Sequence, residues 1–199
     1  PPPPFFHHAE DATRDSVASR ALAAVYKRQV QNGGVIAYPT EYCFGLGCDP
    51  FQQSAVRRIL RLKQRSWSKG LVIIAQHVAQ LRPLVDFSQI EDVDLLIARW
   101  PRSQTYLLPA LPRVPSWIRG QHDTIAVRIT DHKSAAKLCR YSRSALVSTS
   151  ANRSGRPPLR HYRQIQLDFG DELDFVVEAK VGAADAPSLI RDFRSGELV

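Results

Sequence analysis

The feature that most constrains this chain is a series of short apolar runs, each too short for a helix and each bounded by glycine, proline or polar residues. Val35-Ile36-Ala37-Tyr38, Leu71-Val72-Ile73-Ile74-Ala75 and Ala145-Leu146-Val147 read as buried strands, and Asp123-Thr124-Ile125-Ala126-Val127-Arg128-Ile129 alternates as a strand does. Residues 105–108, 175–178 and 187–191 add extended segments. Between them lie stretches of helical spacing: one from Asp15 or Ser16 to the Gly33-Gly34 pair, one opened by Asp49-Pro50, and others over 89–100, 132–141 and 162–169. Strands alternating with helices predict a single α/β domain with a mixed sheet.

The 199 residues suffice for one sizeable core. No apolar run approaches the length of a membrane-spanning helix. Cys43, Cys48 and Cys139 cannot all pair, and no His/Cys cluster has zinc-like spacing, so free thiols in a reducing, cytoplasmic compartment are expected and a metal site is not. Residues 1–14 begin with four prolines and lack the basic and apolar regions of a signal peptide; they are expected to be a disordered arm ahead of a domain over 15–199.

The net charge of +8 is unevenly spread. Residues 50–85 hold seven Lys or Arg and no acid, residues 132–167 hold eight and no acid, and acids gather at 86–94 and 168–178. This predicts a basic face suited to nucleotides or nucleic acid, with Arg57, Arg61, Lys69 and Arg153 as candidate RNA or phosphate contacts. Solvated helix faces carry the same pattern.

Three loops have the chemistry to act on a ligand. Ser148-Thr149-Ser150-Ala151-Asn152-Arg153-Ser154-Gly155-Arg156-Pro157 leaves a strand with four hydroxyls, a carboxamide, two guanidinia and no acid, which suits an anion, although surface loops draw on the same residues. Pro39-Thr40-Glu41-Tyr42-Cys43-Phe44-Gly45-Leu46-Gly47 reads as a loop that places a hydroxyl and a carboxylate at a strand end, where open α/β sheets bind ligands. Lys63, Arg65 and Lys69 put three cations within seven residues, able to clamp a triphosphate or simply to decorate a helix C-terminus. Arg128, on a strand face shared with Thr124 and Ala126, calls for a charged partner or a ligand.

Together these segments resemble the YrdC-type family of threonylcarbamoyl-AMP synthases in its short bacterial form. The resemblance is carried by Tyr38-Pro39-Thr40-Glu41 with Gly45-Leu46-Gly47, Lys63-Gln64-Arg65 with Lys69-Gly70-Leu71, Ala126-Val127-Arg128, Ser148-Thr149-Ser150-Ala151-Asn152-Arg153-Ser154-Gly155, Pro187-Ser188-Leu189-Ile190-Arg191-Asp192 and Ser195-Gly196-Glu197-Leu198, and it covers residues 15–199. It implies a twisted, mixed parallel and antiparallel sheet flanked by helices around a basic concave cleft. It also implies an enzyme that condenses L-threonine, bicarbonate and ATP into threonylcarbamoyl-adenylate and pyrophosphate, which other proteins of the pathway use to modify tRNA.

On the family pattern Lys63 and Arg65 hold ATP phosphates as the catalytic cations, Ser148, Ser150, Asn152 and Ser188 bind the nucleotide, and Thr40 and Arg128 receive threonine. Mg²⁺ would arrive with ATP rather than in a dedicated protein site. No Ser-His-Asp or Cys-His arrangement is apparent, so catalysis by positioning without a covalent enzyme intermediate is expected. The sequence departs from the family at Tyr42-Cys43-Phe44, where Tyr42 is bulky beside the threonine site, and at Pro101-Arg102-Ser103-Gln104-Thr105, where a glycine and a proline of the usual turn are missing. The alternative function is a module that binds double-stranded RNA or tRNA through its basic lining.

Overall fold

A computed structural model describes residues 17–100 and 104–199. The expected arm over 1–14, the predicted cap at Asp15 or Ser16 and most of the altered turn at 101–105 lie outside the described residues. The order of elements is α1 (Val17–Gln31), β1 (Ile36–Pro39), β2 (Phe44–Gly47), α2 (Gln53–Lys63), β3 (Ile73–Ala75), α3 (Val93–Arg99), β4 (Gln104–Pro109), α4 (Ser116–Arg119), β5 (Thr124–Ile129), α5 (Lys133–Ser142), β6 (Leu146–Val147), β7 (Thr149–Ser150), α6 (Tyr162–Phe169), β8 (Phe175–Val176) and β9 (Leu189–Asp192).

The expected α/β architecture with parallel and antiparallel pairing is present, divided into two sheets. One runs β7-β2-β1-β8 and the other β6-β3-β5-β4-β9. β1 pairs antiparallel with β2 and parallel with β8, while β5 lies between parallel β3 and antiparallel β4. β6 belongs to the larger sheet and β7 to the smaller, so the chain changes sheets at Ser148. The Ser148 N–H bonds to the Val72 carbonyl at 2.8 Å, and the Val147 N–H to the Cys48 carbonyl at 3.0 Å, which joins the sheets at the crossing.

Burial explains why the first strand is apolar without alternation. All four residues of β1 are buried. Val35 and Ala37 pack in the larger core with Phe44, Leu46, Ile59 and Ile73, whereas Ile36 and Tyr38 join Tyr26, Val30, Leu138 and Cys139 on the side of α1 and α5. A strand covered on both faces has no polar side to show. In α2 the buried Val56, Ile59 and Leu60 face the core at helical spacing, and Arg57 and Arg61 are exposed.

Two local readings change. The segment expected to be a loop over 39–47 contains β2, whose glycines sit in a buried strand against β1 and β7. The helix expected over 89–100 forms only from Val93, because the Asp92 carboxylate caps it through the Leu95 N–H at 2.7 Å. The three cysteines are free, as expected, and all three are buried.

Candidate functional site

The end of α2 is shaped by one backbone conformation. Gln64 adopts the left-handed region (φ 51°), and its N–H and that of Arg65 return to the carbonyls of Arg61 and Leu60. This turn stops the helix with Lys63 buried and leaves Arg65 half-buried just beyond it. The last helical carbonyls, which have no partner within the helix, are met by the loop after β7: the Ser154 N–H donates to the Lys63 carbonyl at 2.9 Å, and the Arg153 guanidinium to that of Leu62 at 3.4 Å.

Lys63 is only 4% exposed. Its Nζ donates to the Ser150 carbonyl, the Asn152 carbonyl at 3.0 Å and Asn152 Oδ1 at 2.9 Å, with Ser150 Oγ at 3.4 Å. Asn152 Oδ1 also accepts from Ser150 Oγ at 2.6 Å, and its Nδ2 donates to the carbonyls of Arg153 and Arg156. Lys63, Ser150 and Asn152, 87 or more residues apart in pairs with the lysine, thus form one hydrogen-bonded unit. Burial, and after it the nearby Arg65 guanidinium, pulls the ammonium down to about 8, so it remains largely charged at neutral pH. Arg65 is half-buried; one terminal nitrogen donates to the Gly70 carbonyl at 3.2 Å, and its buried Nε has no partner among the described residues.

A second cluster forms where β1 and β5 end. Glu41 Oε2 lies 2.5 Å from an Arg128 terminal nitrogen. Glu41 Oε1 accepts from Thr130 Oγ1 at 2.8 Å, the Asp131 N–H at 2.9 Å and the His132 N–H at 3.3 Å. Burial alone would raise this carboxyl, but the Arg128 charge and these hydrogen bonds hold it below its ordinary value. Arg128 therefore finds the partner its strand position calls for.

The remaining candidates fall around these two clusters. Thr40 and Ser148 flank Gly45 closely: a Cβ there would sit 3.3 Å from both Thr40 Cγ2 and Ser148 Oγ. Thr40 Oγ1 itself donates to the Cys43 carbonyl at 2.8 Å. Cross-strand register carries Ser150 beside Gly45 and Gly45 beside Tyr38, and partners across a sheet share a face. Ser188 Oγ bonds to the fully buried Thr105 Oγ1 at 2.8 Å; Thr105 lies one position past the Tyr106/Val127 pair, opposite Arg128. Arg57, Arg61 and Lys69 are exposed and outside both clusters. Arg153 is drawn onto the Phe169 ring (5.3 Å) and Glu172 (3.0 Å), and Tyr42 lies under the Arg160 guanidinium (5.1 Å).

A strap over 180–184 covers the β1–β2 turn. The Gly182 and Ala184 N–H groups donate to the carbonyls of Thr40 and Glu41, His132 Nε2 meets the Lys180 carbonyl, and Arg160 donates to that of Ala184. Gly182 is required by close approach, since a Cβ would lie 2.8 Å from the Glu41 carbonyl oxygen. An open hollow of about 650 Å³ lies elsewhere, beside Asp92, Tyr106, Arg191 and Arg194, but both arginines are engaged there, with the Gly196 carbonyl and with Gln89.

Sequence reasoning singled out the hydroxyl and carboxylate after β1 but did not place Glu41 or Thr130 in the site. The signal for Glu41 was its position at a strand end. Its bond to Arg128 joins residues from different sheets, which no local pattern encodes.

These features define an α/β protein whose buried cations, at the end of α2 and in β5, lie with the polar groups of strand-end loops, equipped for anionic ligands. The profile of the Sua5/YciO/YrdC family, described as telomere recombination, matches residues 28–199. The chain belongs to this family. It is 49% identical over 170 residues to the threonylcarbamoyl-AMP synthase of Nitrosococcus oceani, covering 85% of this chain and 92% of that one, and 46% identical over 172 residues to the Vibrio cholerae synthase, covering 85% and 92%. The P. abyssi Sua5 structure complexed with L-threonine superposes with a TM-score of 0.79 at 29% identity, covering 86% of this chain and 51% of that longer one. E. coli YciO shares the fold, with a TM-score of 0.74 at 22% identity over 87% of this chain and 84% of its own.

Proposed function

We propose that this protein is a threonylcarbamoyl-AMP synthase, an adenylyl-transferring enzyme that converts L-threonine, bicarbonate and ATP into threonylcarbamoyl-adenylate and pyrophosphate. The observation that carries this reading is the 49% identity with a synthase of that name over nearly its whole length. The buried cations support it, because the reaction brings two anions together. The threonine amine takes up bicarbonate to form a carbamate with loss of water. A carbamate oxygen then bonds to the α-phosphorus of ATP as the bond to the pyrophosphate oxygen breaks. Charge must be screened before either step can occur.

Lys63 and Arg65 would hold the phosphates, Lys63 by exchanging one of its loop oxygens for a phosphate oxygen, and Arg65 through its unpartnered Nε. Ser148, Ser150 and Asn152 would line the nucleotide, with Ser188 closing its side and Thr40 and Arg128 receiving threonine. Mg²⁺ belongs to the MgATP substrate. The product would pass in the cytoplasm to other proteins of the pathway for tRNA modification, and the exposed Arg57, Arg61 and Lys69, with Arg153, are the residues that would meet RNA phosphates. The named relatives do not favour the RNA-binding alternative as the main function. Incubation with ATP, threonine, bicarbonate and Mg²⁺, with each omitted in turn and the product detected by mass, tests the reading. A threonylcarbamoyl-adenylate signal that needs threonine, bicarbonate and ATP is expected; its absence from folded protein would defeat the assignment.

A further inference from the structure

We propose that Glu41 is a positioning residue of the threonine site, fixing Arg128 so that the uncommitted side of its guanidinium faces the substrate carboxylate. This rests on the synthase reading and deepens it.

Arg128 is 9% exposed, and among the described residues its guanidinium has one polar contact, a terminal nitrogen bonded to Glu41, while its buried Nε has no partner. A buried guanidinium with donors to spare is built to take a second anion. Its partner supports the same direction: Glu41, which holds Arg128, directly follows Thr40, and Thr40 Cγ2 and Ser148 Oγ both crowd the position a Cβ on Gly45 would take.

Glu41 is too committed to bind substrate itself. Its two oxygens already accept from four donors, three on Oε1 and the Arg128 guanidinium on Oε2. Three of those donors come from the three residues just after β5, and the Glu41 carbonyl is held by the Ala184 N–H. The carboxylate thus ties the turn of one sheet to the strand end of the other and leaves Arg128 little freedom to swing. Such restraint matters because a small displacement of a clamp costs far more in binding than its size suggests.

The test is product formation with threonine and ATP varied separately, together with the threonine-induced rise in Tm. Glu41→Gln keeps the shape but removes the charge, and it should raise the KM for threonine about tenfold or more while leaving the KM for ATP within about twofold. Glu41→Gln added to Arg128→Lys should cost little beyond Arg128→Lys alone. Should Glu41→Gln fold poorly, Thr130→Val removes one donor to Glu41 without touching Arg128, and a selective, smaller rise in the threonine KM is expected. An unchanged threonine KM in these variants, an equal rise for both substrates, or additive effects in the double variant would overturn the proposal. Wild-type protein without threonine-dependent product would instead remove the synthase reading, and the proposal with it.

Discussion

Lys63 and Arg128 are both cations buried at strand or helix ends, but the chain neutralises them differently. Lys63 sits among oxygens of Ser150 and Asn152, all uncharged, whereas Arg128 faces the Glu41 carboxylate. An ammonium held only by neutral oxygens keeps a burial penalty and can shed its proton, while a guanidinium cannot. Lys63 therefore joins a loop and stays adjustable. Arg128 joins two sheets and is fixed.

The largest effect should come from breaking the ion pair. Arg128→Met strands the Glu41 carboxylate at 14% side-chain exposure, and a cost of about 3–5 kcal/mol is expected in urea denaturation. The pair's contribution also has a pH sign. Because the folded Glu41 carboxyl lies below its ordinary 4.5, the stabilisation is present above that value and disappears as pH falls below it, so the variant and the wild type should converge in acid.

Lys63→Met comes next. It removes the Asn152 carbonyl's donor and one of the donors to the Ser150 carbonyl and Asn152 Oδ1, at a cost of about 2 kcal/mol, and product formation should fall by about a hundredfold or more. The pH slope has the same sign as for Glu41, in a higher range, because both folded groups titrate below their ordinary values. The folded ammonium titrates near 8 rather than at the ordinary 10.5, so the unfolded chain binds more protons between these values and stability rises with pH across them, relative to Lys63→Met. Activity should move the other way, declining as pH passes about 8 and the charge facing the phosphates is lost. Parallel pH series of Tm and initial rate would check both directions; a rate that stays level through pH 9 would remove Lys63 as the phosphate-holding cation.

The smallest effect tests the strap that lies over the Glu41 side alone. Gly182→Ala places a Cβ 2.8–2.9 Å from Glu41 backbone atoms and should cost about 1 kcal/mol or somewhat more, measured by the denaturation midpoint. Its effect on threonine binding should exceed its effect on ATP binding, since the strap's hydrogen bonds go to Thr40, Glu41, His132 and Arg160 rather than to Lys63, Ser150 or Asn152.

Much of the fold was legible because short apolar runs and helical spacing are local signals. Runs such as 35–38 and 71–75 had to be strands, and the polar loops after them had to lie at strand ends. The hydroxyls of 148–150 and the cations of 63–65 stood out for the same reason: residue type and adjacency already state their chemistry. Legibility ended where distance in sequence and distance in space part. The chain's acid-free stretches suggested one basic face, yet Arg58 pairs with Asp174 at 2.6 Å and Arg153 with Glu172, so acids from 168–178 return to meet bases from both runs.

What the sequence determined by itself was the α/β class, the free thiols, the family and the residue types of the site, because each follows from composition, periodicity or short motifs. The tertiary structure alone decided that the mixed sheet divides in two at Ser148, that 44–47 is a strand, and that Glu41 faces Arg128. Those outcomes depend on hydrogen bonds and charge pairs between residues tens of positions apart, and such partners are chosen only when the chain has packed.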